Sequence, residues 1–598
     1  MGSRKGSVCE TRARDSHRCP AAFQAPGRAA PEAAAVVRTS RWLVPAWAIA
    51  LAVLVLGPAL GPGYLLTYDM VWVPDLALRS DFLGLGSALP RAVPSDAVVA
   101  VLDEVLPGML LQKVVLVGAL VAGGLGAARL AGRSPVARLV AVGGYAWSPY
   151  VVERLWIGHW PLLLCWAVLP WLVAEGIRLR ADPRIGAAVP FLLLAGSLSA
   201  NAGLMAAATL LAVGATRATA ARLLALVVAA NAPWVVAGLL HIDTATSSAA
   251  GAVFGLDAEG PLPAPLAALT LGGIWNAEVV PPSRELLVLP LVLTLSYAAL
   301  AAVGARPLAR RLGRRVMIAL VALWAVGYVV AVLSWASPDA VGWLAGHVPG
   351  GGLLRDGTRS LALGAPLTAT LVAAGVQSCA EWCAHRAAQL AVLAAGALLP
   401  LALMPDAAWG IGGRLEPADY PAPWAAARAT LGDGRADLLV LPFTSYRAPV
   451  WNHDGKVLDP LPRYLRPDYI VNDQLAVDGR VIAGEDPRVP DVLAALALPD
   501  ADDRADALAQ LGIGAVVRDR TVPTTPAYDA AVGGTVVFDD GGLEVTVLDA
   551  SIHEREAPSG WLVALGLAWA AFLGVAVHGM WNGWRAISSR MRTGPGSG

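Results

Sequence analysis

Asp69 is the acidic residue whose position best suits a catalytic base. It lies about eight residues after an apolar run at 42–61, in a segment at 63–75 that is rich in aromatic residues. Aromatic side chains are typical of a membrane–water interface. A carboxylate there could act as a general base and take a proton from an acceptor hydroxyl. The same residue could also be a solvated loop acid, so its position alone leaves both interpretations open.

A second polar group follows later in the chain, where Glu153, Arg154 and His159 lie between Pro149 and Pro161. Proline breaks helices, so the spacing predicts a tight loop at 151–159 that faces the first outer loop. The acid and the arginine could be an exposed ion pair of little energetic value. The histidine could be an interfacial residue whose ring nitrogens are satisfied. A functional loop is the alternative to both.

Two arginines, Arg355 and Arg359, lie just after three glycines at 350–352. Arginine binds phosphate through a planar fork of donors, and glycine lets a backbone approach a ligand closely. The pattern suits an anionic lipid headgroup or a diphosphate. Snorkelling or flexible-loop arginines would give the same pattern.

Other kinds of site are absent from the sequence. It has no Walker loop, no dinucleotide-binding glycine fingerprint and no clustered Cys/His site, and its formal net charge is +0, which gives no basic field for nucleic acid. We therefore predict no metal site, no nucleic-acid partner and no required cofactor. An enzyme that works outside the cytoplasm has no nucleotide pool, so it needs an activated donor carried by the membrane.

The elements that must position these residues are membrane helices. The 598 residues are 56% hydrophobic and 15% charged, whereas soluble proteins are about 25% charged. Stretches of roughly 20 apolar residues predict the spans, and 185–216 could be two tilted spans or one re-entrant hairpin around Asn201. The predicted spans are 42–61, 109–128, 136–152, 160–177, 185–199, 202–216, 222–240, 285–304, 315–336, 361–379, 387–404 and 560–581.

The basic flanks of these spans all fall on one side, which predicts that both termini are cytoplasmic and that the protein lies in the plasma membrane. These flanks are 28–41, 129–138, 178–184, 217–222, 306–315, 385–386 and 585–592. Residues 1–41 and 582–598 are then basic cytoplasmic tails, the first of them disordered. The outer loops are 61–108, 151–159, 241–284 and 337–360.

The segment 405–559 differs in composition from the rest, because it is rich in Asp, Pro and Arg. Strand-like runs occur at 437–443, 514–518, 535–538 and 543–548, and the last two flank a hairpin turn signal at 539–542. We predict a small extracytoplasmic α/β domain here, followed by a final transmembrane helix at 560–581. The fold class is thus a polytopic α-helical membrane protein of about 11–13 transmembrane helices with this domain near its C-terminus.

Taken together, these features resemble those of a known family. A long first outer loop with an Asp just after the first span resembles the GT-C class of membrane glycosyltransferases, which use polyprenyl-phosphate sugars. The runs GGYAWSP at 143–149, WPLL at 160–163 and VLPWL at 168–172 resemble the actinobacterial arabinofuranosyltransferases that build cell-wall arabinan, and the related YfhO-like membrane glycosyltransferases. The runs at 438–443 and 508–517 are similar to strands of their outer domains. The chain departs from the pattern at His159, where an acidic residue is expected.

The resemblance implies a GT-C fold and a transferase that moves a sugar, with arabinofuranose or mannose favoured, onto a cell-envelope glycan or glycolipid outside the cytoplasm. It implies that Asp69 is the base, that Arg355 and Arg359 bind the donor phosphate, and that the reaction inverts the anomeric configuration. A divalent cation is compatible with the class. The residues that would orient Asp69 or the acceptor are Asp75, Glu153, Arg154 and His159.

Two other functions remain open from the residues. A lipid or polysaccharide transporter or flippase would need ionisable residues within its spans, and Lys113 is the clear example in the first half of the chain, near a span end. The chain also has no evident internal repeat, which weakens a transporter built from inverted halves. The second of these other functions is that of a non-catalytic scaffold for envelope assembly. The catalytic hypothesis requires Asp69, Arg355 and Arg359 to share one cavity.

Overall fold

The computed structural model describes residues 31–242, 247–434, 436–477, 480–523 and 528–592. In this part of the chain, nine helices are long and apolar enough to cross a membrane, so the protein is a multi-pass membrane protein. These candidate spans are Trp42–Leu60, Gly108–Leu130, Trp160–Ala181, Ala220–Leu240, Val288–Leu312, Arg314–Ala336, Gly357–Glu381, Arg386–Leu403 and Ser559–Ser588. The predicted tails fall partly outside the described residues, at 1–30 and 593–598.

The chain up to the soluble domain is mostly helical. Its α-helices are α1 (Pro31–Leu56), α2 (Ser80–Leu83), α3 (Ser95–Asp103), α4 (Gly108–Leu130), α5 (Pro135–Ala146), α6 (Pro149–Trp156), α7 (Trp160–Ala181), α8 (Ala188–Gly196), α9 (Ala200–Gly214), α10 (Ala220–Leu240), α11 (Ala250–Val253), α12 (Ala264–Leu269), α13 (Pro282–Glu285), α14 (Val288–Leu312), α15 (Arg314–Ala336), α16 (Pro338–His347), α17 (Ala365–Glu381) and α18 (Arg386–Leu403). A 3-10 helix at Gly357–Gly364 precedes α17 within the same span.

Three of the predicted spans are shorter helices. The predicted span at 136–152 is divided, because α5 ends at Ala146 and α6 begins at Pro149. The Ser148 hydroxyl caps α6 by accepting from the Val151 amide at 3.4 Å, and proline has no amide hydrogen to continue α5. The region 185–216 forms α8, with 9 residues, and α9, with 15 residues. With the nine long helices these give the predicted fold class, which is confirmed.

After α18 the chain forms a small α/β region, in the segment that the sequence predicts to be a soluble domain and that keeps this name below, and then one more long helix. Its elements are α19 (Ala408–Gly413), β2 (Pro417–Ala418), α20 (Ala422–Leu431), β3 (Asp437–Leu441), β4 (Tyr446–Arg447), β5 (Val457–Leu458), α21 (Leu461–Tyr464), β6 (Tyr469–Ile470), β7 (Leu475–Val477), β8 (Arg480–Ile482), α22 (Val489–Leu496), α23 (Ala501–Gln510), β9 (Ile513–Asp519), β10 (Thr535–Asp539), β11 (Leu543–Val547) and α24 (Ser559–Arg592); β1 (Tyr64–Leu65) lies in the first outer loop.

Five strands form the central sheet, in the order β10-β11-β9-β3-β6, with β3 parallel to both of its neighbours. Successive side chains of a strand point to opposite faces. Leu439 and Leu441 of β3 pack with α22 and α23, whereas Leu438 and Val440 belong to the core on the other face, together with Trp424 of α20. A strand buried on both faces needs a continuous apolar run, which explains why the sequence of β3 is so hydrophobic.

The first outer loop is hydrogen-bonded to the soluble domain through its backbone. Strand β1 pairs antiparallel with β2. Three residues further on, the Tyr68 amide donates to the Lys456 carbonyl at 2.7 Å, and the Leu458 amide donates to the Tyr68 carbonyl at 2.8 Å. The Arg79 guanidinium donates to several backbone carbonyls at 462–467. The soluble domain therefore lies directly against the loop that carries Asp69.

Candidate active site

A cavity of about 820 Å³ lies between the membrane helices and the soluble domain. Asp69, His159, Arg355 and Arg359 all line it. Four of the residues singled out from the sequence, which come from three separate loops, therefore meet in one chamber. The soluble domain contributes Tyr446, Asp473 and Glu485, and the first outer loop also contributes Arg91.

Backbone contacts hold Asp69 beside the loop that carries His159. The Asp69 amide donates to the Ile157 carbonyl at 3.1 Å. Gly158 has a φ of +88°, and its backbone lies against the turn formed by Thr67 and Met70 with no room for a side chain. Glycine adopts this left-handed conformation at no steric cost. The two loops can therefore approach closely because a glycine occupies position 158.

The Asp69 carboxylate accepts a hydrogen bond on each oxygen. His159 Nε2 lies 3.2 Å from Oδ2, and the Tyr446 hydroxyl donates to Oδ1. The side chain is 42% exposed, and Asp69 lines the cavity. Burial acts to raise the pKa of Asp69, but the hydrogen bonds from His159 and Tyr446 and the charge of Arg359 outweigh it and hold the pKa below its ordinary value. The group is thus ionised and able to accept a proton.

His159 has a defined tautomer. Its Nδ1 lies 3.1 Å from Nη1 of Arg154, and a guanidinium can only donate, so Nδ1 accepts and the ring proton is on Nε2. That N–H then donates to Asp69. Burial lowers the pKa of His159, as do the charges of Arg359 and Arg154, although Asp69 acts in the opposite direction. A neutral imidazole therefore orients the carboxylate without neutralising it.

Behind this histidine, Arg154 and Asp356 form a buried ion pair. Nη1 of Arg154 lies 3.0 Å from Oδ2 of Asp356, and both side chains are 1% exposed. Arg154 also donates to the Thr358 hydroxyl, and Arg359 Nε donates to the same Asp356 oxygen at 2.9 Å. Burial alone would raise the pKa of Asp356, but Arg154 and Arg359 hold it well below its usual range. The network links the loop that carries His159 to the segment 350–359, which carries Arg355 and Arg359 and is called the arginine loop.

The arginine loop also contacts the soluble domain. Arg355 Nη1 donates to Oε1 of Glu485 at 2.8 Å, and its guanidinium lies 5.2 Å from the centre of the Phe254 ring. Arg91 pairs with the other Glu485 oxygen and lies 3.6 Å from Asp473. Burial acts to raise the pKa of Glu485, but Arg91 and Arg355 hold it at about 2. Glu485 is therefore an anion shared between two cations at the cavity wall.

Of the predicted supporting residues, Arg154 lies behind His159 and does not line the cavity, and two others do not line it either. Asp75 is 62% exposed and pairs with Arg428 at 2.7 Å and Arg466 at 3.4 Å on the soluble domain. Glu153 is 2% exposed; burial and the neighbouring Glu259 raise its pKa well above the usual range. Neither residue lines the cavity, so neither is placed to orient Asp69 or an acceptor directly.

Other cavity residues were not singled out as site residues from the sequence. Tyr446 and Glu485 lie far from Asp69 along the chain, Arg91 lies later in the same loop, and none of the three belongs to a recognisable motif. Asn201 was noted in the sequence only as the polar residue at the centre of an apolar pair of helices. Its side-chain amide fits between Arg359 Nη1 and the Leu353 carbonyl, at 3.0 and 3.1 Å. A polar side chain between two apolar runs is unusual, and this is the one feature of the sequence that could have identified Asn201 as a cavity residue.

No group of three or more His, Cys, Asp or Glu side chains that could hold a metal ion occurs in the part of the chain that the structure describes. The carboxylates near Asp69 are paired with arginines instead. What the site offers chemically is the ionised Asp69 carboxylate, which lines the cavity together with the guanidinium groups of Arg91, Arg355 and Arg359. That combination can accept a proton and bind an anion.

The comparisons with known proteins concern the fold. The sequence matches no protein-family model, and no curated protein matches it significantly. Two structures of arabinofuranosyltransferase AftD from Mycobacteria, solved by cryo-electron microscopy, resemble the chain at 18% identity. One has a TM-score of 0.48 and the other, of a mutant, 0.50. Each match covers 86% of this chain but only 40% and 42% of those chains. The likeness to the second structure shows a shared fold, and this chain spans less than half the length of that protein.

Proposed function

We propose that this protein is a membrane glycosyltransferase that transfers a sugar from a polyprenyl-phosphate donor to a cell-envelope glycan or glycolipid. The observation that carries the proposal is the shared cavity, in which an ionised Asp69 faces the same space as Arg355 and Arg359. The fold shared with an arabinofuranosyltransferase supports the same conclusion. Arabinofuranose and mannose are the two sugars that we favour.

The walls of the cavity suit the two ends of such a donor. One wall is apolar and comes from the end of α10, with Trp234, Val235, Leu239 and Ile242. Leu239 is 59% exposed and Ile242 46% exposed, at the end of a candidate span, where a prenyl chain can lie partly in lipid. The arginines stand on the polar wall, where their planar forks can bind a phosphate. The donor would thus enter from the membrane with its phosphate toward Arg355 and Arg359.

The proposed reaction is a direct displacement at the anomeric carbon. Asp69 takes the proton of the acceptor hydroxyl as the oxygen of that hydroxyl bonds to the anomeric carbon. The bond from that carbon to the phosphate oxygen breaks on the opposite face, which inverts the configuration, and polyprenyl phosphate leaves. Arg355 and Arg359 stabilise the charge that grows on the leaving phosphate. His159 holds the base through its Nε2 proton.

We also propose that the cavity opens outside the cytoplasm, with both chain termini inside. The support is the basic flanks of the spans, which fall on one side of the membrane when the helices are counted. Segment 405–559 is then an extracytoplasmic domain, and its position against the Asp69 loop agrees with a site at the outer membrane face. A membrane-borne donor is what an enzyme on that side requires.

The test is transfer from a radiolabelled polyprenyl-phosphate sugar to an oligosaccharide acceptor, with membranes that contain the protein. Arabinofuranosyl and mannosyl donors are assayed separately. Asp69→Asn should abolish transfer without lowering expression, because the amide cannot accept the proton. Asp75→Asn is the matched control, since it changes an acid of the same loop that does not line the cavity. Transfer at the normal rate by Asp69→Asn would refute the catalytic assignment.

A further inference from the structure

The side chain of Tyr446 brings the soluble domain into contact with the proposed base. The Tyr446 hydroxyl donates to Oδ1 of Asp69, on the carboxylate oxygen that His159 does not contact. Tyr446 lies in β4, which pairs antiparallel with β5, where Leu458 is its partner. The tyrosine therefore reaches the cavity from a two-stranded hairpin and not from a membrane helix.

The same hairpin fixes the backbone next to Asp69. The Tyr68 amide and carbonyl bond to Lys456 and Leu458 at 2.7 and 2.8 Å, and Tyr68 pairs with Val457 as an isolated parallel bridge. Tyr68 has a φ of +41°, a conformation that a non-glycine residue keeps only when its surroundings impose it. The hairpin supplies that constraint on the residue directly before the base.

Buried charges anchor the hairpin to the sheet. Arg447, the neighbour of Tyr446 in β4, pairs with Asp459 at 2.7 Å and with Asp519 at 3.1 Å. All three side chains are at most 7% exposed, and Asp519 ends the central strand β9. The position of Tyr446 is therefore set by the folded core of the soluble domain, and Asp69 is held between this domain and the membrane helices.

We propose that Tyr446 is a positioning residue for the proposed base, and that the β4–β5 hairpin completes the active site by holding Asp69 toward the cavity. This inference rests on the proposed function. It gives the soluble domain a part in catalysis, since the carboxylate would otherwise be held on one oxygen alone.

Loss of the tyrosine hydroxyl should change how activity depends on pH. The base works only when ionised, so activity falls as pH drops through its pKa. A hydrogen bond to the ionised form lowers that pKa, and its removal raises the pKa and moves the acid limb of the rate profile to higher pH, by about one unit for a hydrogen bond to a charged group. The charged and titratable groups around Asp69 that stay in place are His159, Arg359 and Arg91.

The experiment measures transfer between about pH 3 and pH 8 for the wild type, Tyr446→Phe and Tyr420→Phe, because the acid limb of the wild type is expected below the ordinary pKa of an aspartate. Tyr420 also lies in the soluble domain and donates to the first outer loop, at the Trp72 carbonyl, but it does not contact Asp69. We expect about a tenfold lower kcat for Tyr446→Phe, with donor KM within twofold of wild type and the acid limb shifted upward. Tyr420→Phe should keep the wild-type profile.

A profile for Tyr446→Phe that superimposes on that of the wild type would overturn the inference, as would an equal shift in both variants. Asp69→Asn, assayed alongside, separates this failure from failure of the proposed function. If Asp69→Asn is inactive and Tyr446→Phe is unchanged, only the positioning role is lost. If Asp69→Asn transfers sugar normally, the base assignment fails and the inference fails with it.

Discussion

Gly158→Ala tests how closely the two outer loops must approach each other. A Cβ built on Gly158 would lie 2.6 Å from the Thr67 carbonyl oxygen and nearer still to the Met70 amide nitrogen, whereas ordinary contacts begin at 3.4 Å. Both neighbours are backbone atoms, which cannot rotate away as a side chain can. They also flank Asp69 in the chain. The substitution must therefore move the turn that carries the proposed base.

The size of the effect follows from these distances. Relief of the clash needs a shift of about 1 Å, and a displacement of that size can lower a rate about 100-fold when it misaligns reacting groups. The φ of +88° at this position adds about 1–2 kcal/mol of backbone strain for any residue with a Cβ. We therefore expect kcat to fall about 100-fold, with a smaller loss of stability.

The assay is sugar transfer by membranes that contain equal amounts of each variant. Gly118→Ala is the control, because a Cβ at Gly118 in α4 meets no atom within 4 Å, and alanine favours a helix. Its rate should match that of the wild type. A normal rate for Gly158→Ala, in protein with an unchanged melting temperature, would show that the contact between these loops does not set the position of the base.

Two further predictions concern the charged networks. Glu485→Gln removes the anion that neutralises Arg91 and Arg355, so the donor KM and the inhibition constant of polyprenyl phosphate should fall about fivefold, or about 1 kcal/mol; weaker binding would count against a phosphate site at these arginines. Arg154→Gln leaves the buried Asp356 carboxylate without its main partner, which should cost about 3 kcal/mol and lower the melting temperature in detergent. The double variant with Asp356→Asn should recover part of that loss, and no recovery would contradict the pairing.

The membrane part of the fold could be predicted from the sequence because each span carries its own signal. An apolar run of sufficient length must be helical in lipid, whatever it packs against. Four of the five strands of the central sheet were predicted, β3 and β9 as short apolar runs and β10 and β11 from the turn signal between them, whereas the two-residue strand β6 was not. The divided helix at 136–152 was not predicted. Pro149 was expected to break a helix ahead of a loop at 151–159, but it begins helix α6 after the cap at Ser148, so most of that predicted loop is helical.

The candidate site was predictable only where a residue had a signal in its own segment. Asp69 follows a span, and Arg355 and Arg359 follow a run of glycines, so each could be named without knowledge of its neighbours. Asp75 has the same kind of signal as Asp69, but its turn directs it to Arg428 instead. The direction in which a loop side chain points depends on tertiary contacts that a single segment does not encode.

The soluble domain supplies what the membrane segments lack. Tyr446 and Glu485 lie in a region whose own sequence indicates only a small α/β fold, yet they contact Asp69 and the two arginines Arg91 and Arg355. An acid on a loop at a membrane surface has many orientations, and ordering it costs conformational entropy. A folded domain is already ordered by its own core, so it can hold the acid in one orientation. The domain therefore belongs to the catalytic unit that we propose, and its removal should inactivate the protein even if every membrane helix remains in place.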